Sequence, residues 1–329
     1  MNEKIRISVI TILVFFLFHP AEAQQPAKIP RVGLIYSSGT AKNPGPLFDA
    51  FRQGLRDLGY VEGKNILLEN RYGEGRLDRM PALLNDLVQK NVDVIVATNN
   101  VVISAAQKAT KTIPIVIVTT VDPVVAGYVK SFAQPGGNIT GIASLSRDIS
   151  AKRIELLREL LPRLSRAGIL WDAAGPGPAI AFKEYEEAAH AFKFDLRSLE
   201  VRGPTPDLPG AFEIAKTARL DALIVVANPL INQYAKQVFA LATKNRLPSI
   251  TEERRYVNAG GLVSYGPNRT DLYRRAAEYV VEILKGAKPS DLPLKLASKF
   301  EIFINLKTAK QIDVAIPQHI LVQADSVIK

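Results

Sequence analysis

The sequence predicts an α/β protein made of two Rossmann-like lobes, each built around a parallel sheet. Short apolar runs alternate with amphipathic stretches of helical length through most of the chain. The same order of motifs then begins again about 130 residues further on. A length of 329 residues is comfortable for two domains and long for a single core.

The first half shows the alternation most clearly. Residues 31–36, RVGLIY, predict a buried strand, and residues 47–59 follow with apolar side chains on one helical face. Three further strands are predicted at 65–72, 92–98 and 113–120, with helices at 77–89 and 101–109. Strands that alternate with helices of this length form right-handed βαβ units and a parallel sheet covered on both faces.

Three segments of the first half are echoed, in order, in the second half. VGLIYSSGTAKNPGP (32–46) is similar to AGILWDAAGPGP (167–178), with a glycine, aliphatic residues, an aromatic residue and Pro-Gly-Pro. VDVIVATNN (92–100) is similar to LDALIVVANP (220–229), and TIPIVIVTTVDP (112–123) to RLPSITEE (246–253). One echo alone would be weak evidence, but three in the same order predict two lobes of similar topology.

Polar and aromatic side chains follow the predicted strands of both lobes. Ligands of open parallel sheets bind beyond the carboxyl ends of the strands, so two facing lobes would line one cleft. The predicted ligand-binding residues are Tyr36, Ser37, Ser38, Thr98, Asn99, Asn100, Thr120 and Asp122 in the first lobe, and Trp171, Asp172, Asn228 and Glu252 in the second.

These loops are rich in hydroxyl and amide groups. The N–H groups at the helix N-terminus after Asn100 suit a carboxylate, and Asp122, Asp172 or Glu252 suits an ammonium group. Tyr36 and Trp171 stand at matching places and suit an apolar or aromatic part of a ligand. The set indicates binding of a small zwitterion or another polar solute.

Structural roles compete with these assignments. Asn and Asp are favoured helix N-caps, so Asn100 and Asp122 can serve as caps alone. Trp171 can belong to the core of its lobe. The sequence leaves both interpretations open at these three positions.

The composition argues against catalysis and metal binding. There is no cysteine, and there are only three histidines, so disulfides and thiolate metal sites are excluded. The motifs G-x-S-x-G, H-E-x-x-H and the Walker A loop are absent. Glu252 and Glu253 are adjacent and would point to opposite faces of a strand, not act as an acid/base pair. We expect no enzymatic activity, no catalytic residues, no metal and no cofactor.

The net charge of +10 raises the question of nucleic-acid binding. The basic residues are scattered over helix faces and form no stripe, so we expect solvated surface charge and no nucleic-acid partner. A DNA-binding regulator would need an N-terminal helix-turn-helix, where this chain has an apolar segment.

That N-terminal segment has the pattern of a secretory signal peptide. Lys4 and Arg6 precede an apolar stretch from Ile7 to Phe18, and Ala21-Glu22-Ala23 forms an A-x-A cleavage pattern. The apolar stretch is shorter than the roughly 20 residues of a spanning helix. We therefore expect residues 1–23 to be removed and the mature chain to be periplasmic.

Residues 31–329 resemble the periplasmic substrate-binding proteins of ABC transporters, in the branch that includes tryptophan- and tyrosine-binding members. The resemblance covers nearly the whole chain after the N-terminal segment. It is carried by the segments FRQGLRDLGYVEGKNILLENRYGEG, ATKTIPIVIVTTVDPVVAGYVKSFAQPGGNITG, RIELLRELLP, NAGGLVSYGPNRTDLYRRAAEYVVEILKGAKPSDLPL and KFEIFINLKTAKQ.

The resemblance implies a type I periplasmic-binding fold with three hinge crossovers. Lobe 1 would comprise residues 29–143 and 265–291, and lobe 2 residues 144–264 and 292–329. It also implies an exported protein that captures a small polar ligand, such as an aromatic amino acid, and delivers it to an ABC permease and its ATPase. We expect a monomer that meets the membrane only through the permease.

Two points bear on the ligand and the partner. A ligand-sensing module for a membrane receptor is the alternative function on the same fold. Family members often carry Thr-Pro at the positions of Asn99-Asn100, and Trp-Asn-Pro at those of Trp171-Asp172-Ala173. Both departures fall at the predicted cleft, so the resemblance leaves the identity of the ligand open.

Overall fold

A computed structural model of the chain describes residues 28–37, 39–144, 146–174 and 176–329. The predicted signal peptide at residues 1–23 and the predicted ligand residue Ser38 lie outside the described residues. Within these ranges, no helix combines the length and the apolar character needed to cross a membrane.

The first part of the chain alternates strands and helices as predicted. Its elements are β1 (Arg31–Tyr36), α1 (Pro46–Asp57), β2 (Leu67–Tyr72), α2 (Met80–Gln89), β3 (Val94–Ala97), α3 (Asn100–Ala109), β4 (Ile115–Thr119) and β5 (Ile139–Ala143). The five strands are parallel and lie in the order β2-β1-β3-β4-β5.

The second part repeats this plan. Its elements are α4 (Ser146–Leu160), β6 (Arg166–Asp172), α5 (Pro176–Ala191), β7 (Asp195–Val201), α6 (Leu208–Thr217), β8 (Ala222–Val225), α7 (Pro229–Lys244), β9 (Ser249–Thr251), α8 (Arg254–Asn258) and β10 (Val263–Pro267). The parallel order β7-β6-β8-β9-β10 is that of the first sheet. The two lobes of similar topology are therefore confirmed.

The last part of the chain contributes to both sheets. Its elements are α9 (Arg269–Leu284), β11 (Lys295–Leu296), β12 (Phe300–Asn305), α10 (Leu306–Gln311), α11 (Gln318–Gln323) and β13 (Ser326–Ile328). β11 extends the first sheet beside β5, whereas β12 and β13 extend the second, with β12 antiparallel to β10. The chain thus passes between the sheets three times, after β5, β10 and β11. The lobe boundaries in residue numbers stay a prediction.

Helices cover both faces of each sheet because alternate strand residues point to opposite faces. In the first sheet, one face packs against α1 and α9 and the other against α2 and α3. In the second, α4, α5 and α11 cover one face, and α6, α7 and α8 the other. α1 and α9 approach closely at Gly54, where an added Cβ would lie 2.7 Å from the carbonyl oxygen of Arg274. The first lobe therefore includes a helix from late in the chain.

The repeat extends to single hydrogen bonds. A carboxylate oxygen of Asp93 accepts a hydrogen bond from the N–H of Arg31 at 2.7 Å, which ties the start of β3 to that of β1. Asp221 does the same in the second lobe, where its carboxylate accepts from the N–H of Arg166 at 2.8 Å. Each aspartate thus fixes the register of the two central strands whose carboxyl ends carry the predicted site.

Candidate functional site

The strand-end loops of the two lobes meet at the N-termini of α3 and α5. Gly177, in the first turn of α5, lies directly against the side-chain amide of Asn100, the first residue of α3. Both helices follow the carboxyl ends of central strands, β3 and β6. This contact brings the carboxyl-end edges of the two sheets together, and a ligand site between them stays a prediction.

Asn99 and Asn100 have different roles at the end of β3. Asn99 is the N-cap of α3, because its Oδ1 accepts a hydrogen bond from the N–H of Val102 at 3.0 Å. Asn100 accepts from the hydroxyl of Thr119 at 3.0 Å through Oδ1, and from the hydroxyl of Tyr128 at 3.2 Å through its carbonyl. The sequence offered Asn100 as the cap, whereas the cap is Asn99 and Asn100 is bonded to neighbouring loops.

Three other first-lobe residues lie along the same edge. Ser37 and Thr98 are half-buried, and Thr120 is exposed. The carbonyl oxygen of Ser37 accepts a hydrogen bond from the N–H of Gly75 at 2.8 Å. This edge of the first sheet therefore carries small uncharged side chains, and their contact with a ligand stays a prediction.

Asp122 and Asp172 each hold a turn after a strand, but at different places in the repeat: Asp122 follows β4, and Asp172 ends β6, the counterpart of β1. Oδ1 of Asp122 accepts from the N–H of Val124 at 2.8 Å and of Val125 at 3.2 Å. Oδ1 of Asp172 accepts from the N–H of Ala174 at 3.0 Å. Both carboxylates thus have a structural role, and their contact with a ligand stays a prediction.

Tyr36 ends β1 and is packed inside the first lobe. Its side chain stacks on Tyr72, with 5.4 Å between ring centroids, and meets Phe48 edge-on at 6.2 Å. The hydroxyl is buried, with no hydrogen-bond partner among the described residues. Burial raises the pKa of this phenol far above its ordinary value, so it stays protonated.

Trp171 occupies the matching place in the second lobe and is also packed in its core. Its indole stacks on Phe182, with 4.8 Å between ring centroids, and its Nε1–H donates to Oγ of Ser198 at 2.8 Å. Trp171 is thus part of the core of its lobe, which is one of the two roles that the sequence left open. A ligand contact of either aromatic residue stays a prediction.

Asn228 caps α7 just as Asn99 caps α3. Its Oδ1 accepts from the N–H of Ile231 at 2.9 Å, and its Nδ2 donates to the carbonyl of Val226 at 3.2 Å. Like Asn99, it has extended backbone dihedrals. The counterpart of Asn228 is therefore Asn99, and Asn100 has no equivalent cap role.

Glu252, the predicted acidic ligand residue that follows β9 in the second lobe, is largely buried. Its Oε1 lies 3.5 Å from Nη1 of Arg153, whose side chain is only 2% exposed. Arg153 also donates to the hydroxyl of Tyr185 at 2.8 Å and to the carbonyl of Tyr265 at 2.6 Å. Burial raises the pKa of Glu252 above its ordinary value, and the positive charge of Arg153 opposes that rise.

Sequence reasoning missed Arg153. Its position on the apolar stripe of α4, between the buried residues Ile149 and Leu157, was the available signal. A cation on such a stripe requires a buried partner. The partner, Glu252, is a hundred residues away in the chain.

Glu253 has different charged partners from Glu252. It forms ion pairs with Arg255 and with Arg269 at the start of α9. Burial alone would raise the pKa of Glu253, but these two guanidinium groups lower it below its ordinary value. Glu252 and Glu253 both follow β9, which ends at Thr251, so the alternation of a strand does not apply to them, but they pair with different cations. In the part of the chain that the structure describes, no group of three or more acidic, His or Cys side chains is placed to hold a metal ion.

Two lobes of equal strand order, joined by three crossovers, define a type I periplasmic-binding fold. The sequence model of a family described as ABC transporter substrate binding protein matches residues 46–328. The chain belongs to this family and is a substrate-binding protein.

Individual relatives are consistent with this assignment. The tyrosine-binding protein of Clostridioides difficile (strain R20291) is 29% identical over 270 residues, which cover 80% of this chain and 75% of that protein. A conserved domain protein from Vibrio cholerae has a TM-score of 0.83 and 26% identity, over 91% of this chain and 100% of that chain. An ABC domain from Streptococcus pneumoniae in complex with L-Trp has a TM-score of 0.81 and 23% identity, over 91% and 99%.

Proposed function

We propose that this chain binds an aromatic amino acid, tyrosine or tryptophan, in the inter-lobe cleft and delivers it to an ABC permease and its ATPase. The observation that carries the proposal is the difference between the two walls. One wall offers the N-terminus of α3 with the amide of Asn100, and the other offers the buried carboxylate of Glu252. An α-amino acid has one negative and one positive group, which these two walls complement.

The carboxylate of the ligand belongs at the first turn of α3. The first N–H groups of a helix lack intrahelical partners and carry partial positive charge. Oδ1 of Asn99 already accepts from the N–H of Val102. The backbone N–H groups that precede Val102 in the first turn of α3 therefore remain for the ligand. The ammonium group belongs beside Glu252, where Arg153 helps to keep the carboxylate ionised.

The relatives support an aromatic side chain in the ligand. One is named a tyrosine-binding protein, and another was solved with L-Trp. Of the predicted site residues, Ser37, Thr98, Asn100, Thr120 and Glu252 are our preferred contacts. Tyr36, Asn99, Asp122, Trp171, Asp172 and Asn228 have structural roles as well, and Ser38 remains a proposal from the sequence.

Export and the absence of catalysis complete the proposal. The signal-peptide pattern at residues 1–23 and the family both support a periplasmic location. Binding proteins need no catalytic residues, and the family is described by binding alone. We propose a non-enzymatic monomer, with a permease as its membrane partner and no nucleic-acid partner.

Calorimetric titration of the E252Q variant with L-tyrosine and L-tryptophan tests this assignment. Loss of a buried charge that pairs with the ligand should weaken binding by about thirtyfold or more. E213Q, which changes an exposed glutamate of the same lobe, is the matched control and should bind as the wild type does. Equal affinity of E252Q and E213Q would contradict the role of Glu252.

The pH dependence provides a second measurement on the same variant. Because burial raises the pKa of Glu252, its carboxylate takes up a proton at a higher pH than an ordinary glutamate. Affinity for the amino acid should therefore fall as the pH drops through this raised value, because the protonated group no longer attracts an ammonium ion. The fall should be absent in E252Q. A wild-type affinity that is flat down to pH 4 would contradict the ammonium contact.

A further inference from the structure

The first turns of α3 and α5 form a contact between the lobes that only glycine permits. A Cβ added to Gly177 would lie 2.7 Å from Nδ2 of Asn100 and 3.6 Å from its Cβ. Real Cβ atoms essentially never come closer than 3.0 Å to another heavy atom. With any other residue at position 177, the helix or the asparagine would have to move.

The asparagine is not free to move away. Its Oδ1 accepts from Thr119, which is 1% exposed and also bonds the N–H of Val121. Its carbonyl accepts from Tyr128, whose hydroxyl lies 3.1 Å from Oγ of Ser104. The first lobe therefore presents Nδ2 of Asn100 as a fixed surface against which α5 stops.

Gly177 is not required by the backbone of its own helix. It is the second residue of α5 and does not have the positive φ that favours glycine. Alanine at a helical position is better than glycine for helix stability. The benefit of glycine at this position therefore lies in the contact with the other lobe.

We propose that Gly177 sets how far the two lobes close, and that its contact with Asn100 belongs to the closed, ligand-bound state. A ligand that binds the closed state better shifts the lobes towards it. A side chain at position 177 would raise the free energy of the closed state and not that of the open state. The affinity for the ligand would therefore fall. This inference rests on the proposed function for its effect on affinity, but the contact itself can be tested without a ligand.

The affinity test uses G177A and G177V with whichever of L-tyrosine and L-tryptophan the wild type binds. We expect about tenfold weaker binding for G177A, a larger loss for G177V, and an unchanged or higher melting temperature without ligand. G137A is the matched control, because Gly137 is exposed, lacks a positive φ and has no heavy atom within 4 Å of an added Cβ. Wild-type affinity in G177V would overturn the proposal.

The ligand-independent test is a disulfide, which the absence of native cysteine makes unambiguous. The 3.6 Å between the added Cβ of Gly177 and Cβ of Asn100 lies in the range of about 3.5–4.5 Å found in disulfides. The N100C/G177C variant should form an intramolecular disulfide under mild oxidation, detected by mass spectrometry of peptides. X-ray scattering should show a smaller radius of gyration than for the reduced protein.

The control pair N100C/G137C should stay reduced under the same conditions, because nothing lies within 4 Å of an added Cβ at Gly137. An N100C/G177C variant that stays reduced would overturn the contact between α3 and α5. If the disulfide forms but the wild type binds neither amino acid, the proposed function fails and the closure contact stands. The two failures are thus distinguishable.

Discussion

The ends of β3 and β9 present two walls of different chemistry on lobes of the same topology. At the end of β3, Asn99 caps α3 and Asn100 is held by Thr119, so this wall is uncharged. At the end of β9, Glu252 is buried over Arg153, so this wall carries charge. The strand order is the same in both sheets. In the proposed site, the shared fold would therefore set the place of the site, and the loop residues would set what it binds.

The comparison also separates structure from binding within each wall. Asn99 and Asn228 are both helix N-caps. Asp93 and Asp221 both accept a hydrogen bond from the backbone of the neighbouring strand. Features that recur in both lobes support the shared fold. Features that occur in one lobe only, such as Arg153 beneath Glu252, are the better candidates for the particular function.

The largest expected effect is that of R153M, which removes the buried cation that pairs with Glu252. Methionine fills similar space but leaves the carboxylate of Glu252 buried without its counter-charge. We expect a loss of about 3–5 kcal/mol in the free energy of unfolding at pH 7. Denaturant titration measures it. R158M, on the exposed face of the same helix, should lose less than about 1 kcal/mol.

The pH dependence of that loss has a definite sign. Without Arg153 the folded-state pKa of Glu252 rises further above its unfolded value, so the folded protein binds a proton more readily than the unfolded chain. The penalty is therefore small below the unfolded pKa, grows as the pH rises from the unfolded pKa to the folded one, and stays constant above it. The double variant R153M/E252Q should recover part of the loss at pH 7. A loss in R153M that does not exceed that of R158M would contradict a stabilising ion pair.

An intermediate effect is expected for the matched aromatic residues. W171F removes an indole whose N–H is bonded to Ser198 and leaves a small cavity, so we expect about 2 kcal/mol of destabilisation. Y36F removes a hydroxyl that has no partner among the described residues and should leave stability unchanged or raise it by about 1 kcal/mol. Thermal and denaturant unfolding measure both. A tenfold loss of ligand affinity in Y36F would instead show that this hydroxyl meets the ligand.

A smaller loss of stability than that of W171F is expected for the two caps. N99A and N228A should each lose about 1 kcal/mol of stability, because each removes one side-chain acceptor for a first-turn N–H. N99S and N228S keep a capping oxygen and should retain most of it. Ligand affinity, measured by calorimetry, should change less than twofold in all four. A selective loss of affinity in both N99A and N99S would make Asn99 a ligand contact.

Much of the fold could be predicted from the sequence because buried parallel strands leave a strong local signal. VIVA in β3 and ALIV in β8 are continuous apolar runs, and each follows an aspartate whose structural role is the same. The repeat of such units in order was enough to predict two lobes. The crossovers came from the resemblance, since nothing local marks where a chain changes lobes.

The details of the site could be predicted less well, for physical reasons. Whether Asn99 or Asn100 caps α3 depends on where the helix begins, which a sequence pattern locates only to within a residue or two. The packing of Trp171 depends on Phe182 and Ser198, which come from other elements. Arg153 has two partners, Glu252 and Tyr265, that follow it by about a hundred residues in the chain. Tertiary packing alone brings this network together.

The most direct test of the central claim, that the two walls hold the two charged ends of an amino acid, is a set of three calorimetric titrations. The ligands are L-tyrosine, tyramine, which lacks the carboxylate, and 3-(4-hydroxyphenyl)propanoate, which lacks the ammonium group. We predict that the wild-type mature chain binds tyrosine at least a hundredfold, or about 2.7 kcal/mol, more tightly than either analogue. Equal binding of all three ligands, or binding of none, would contradict the account.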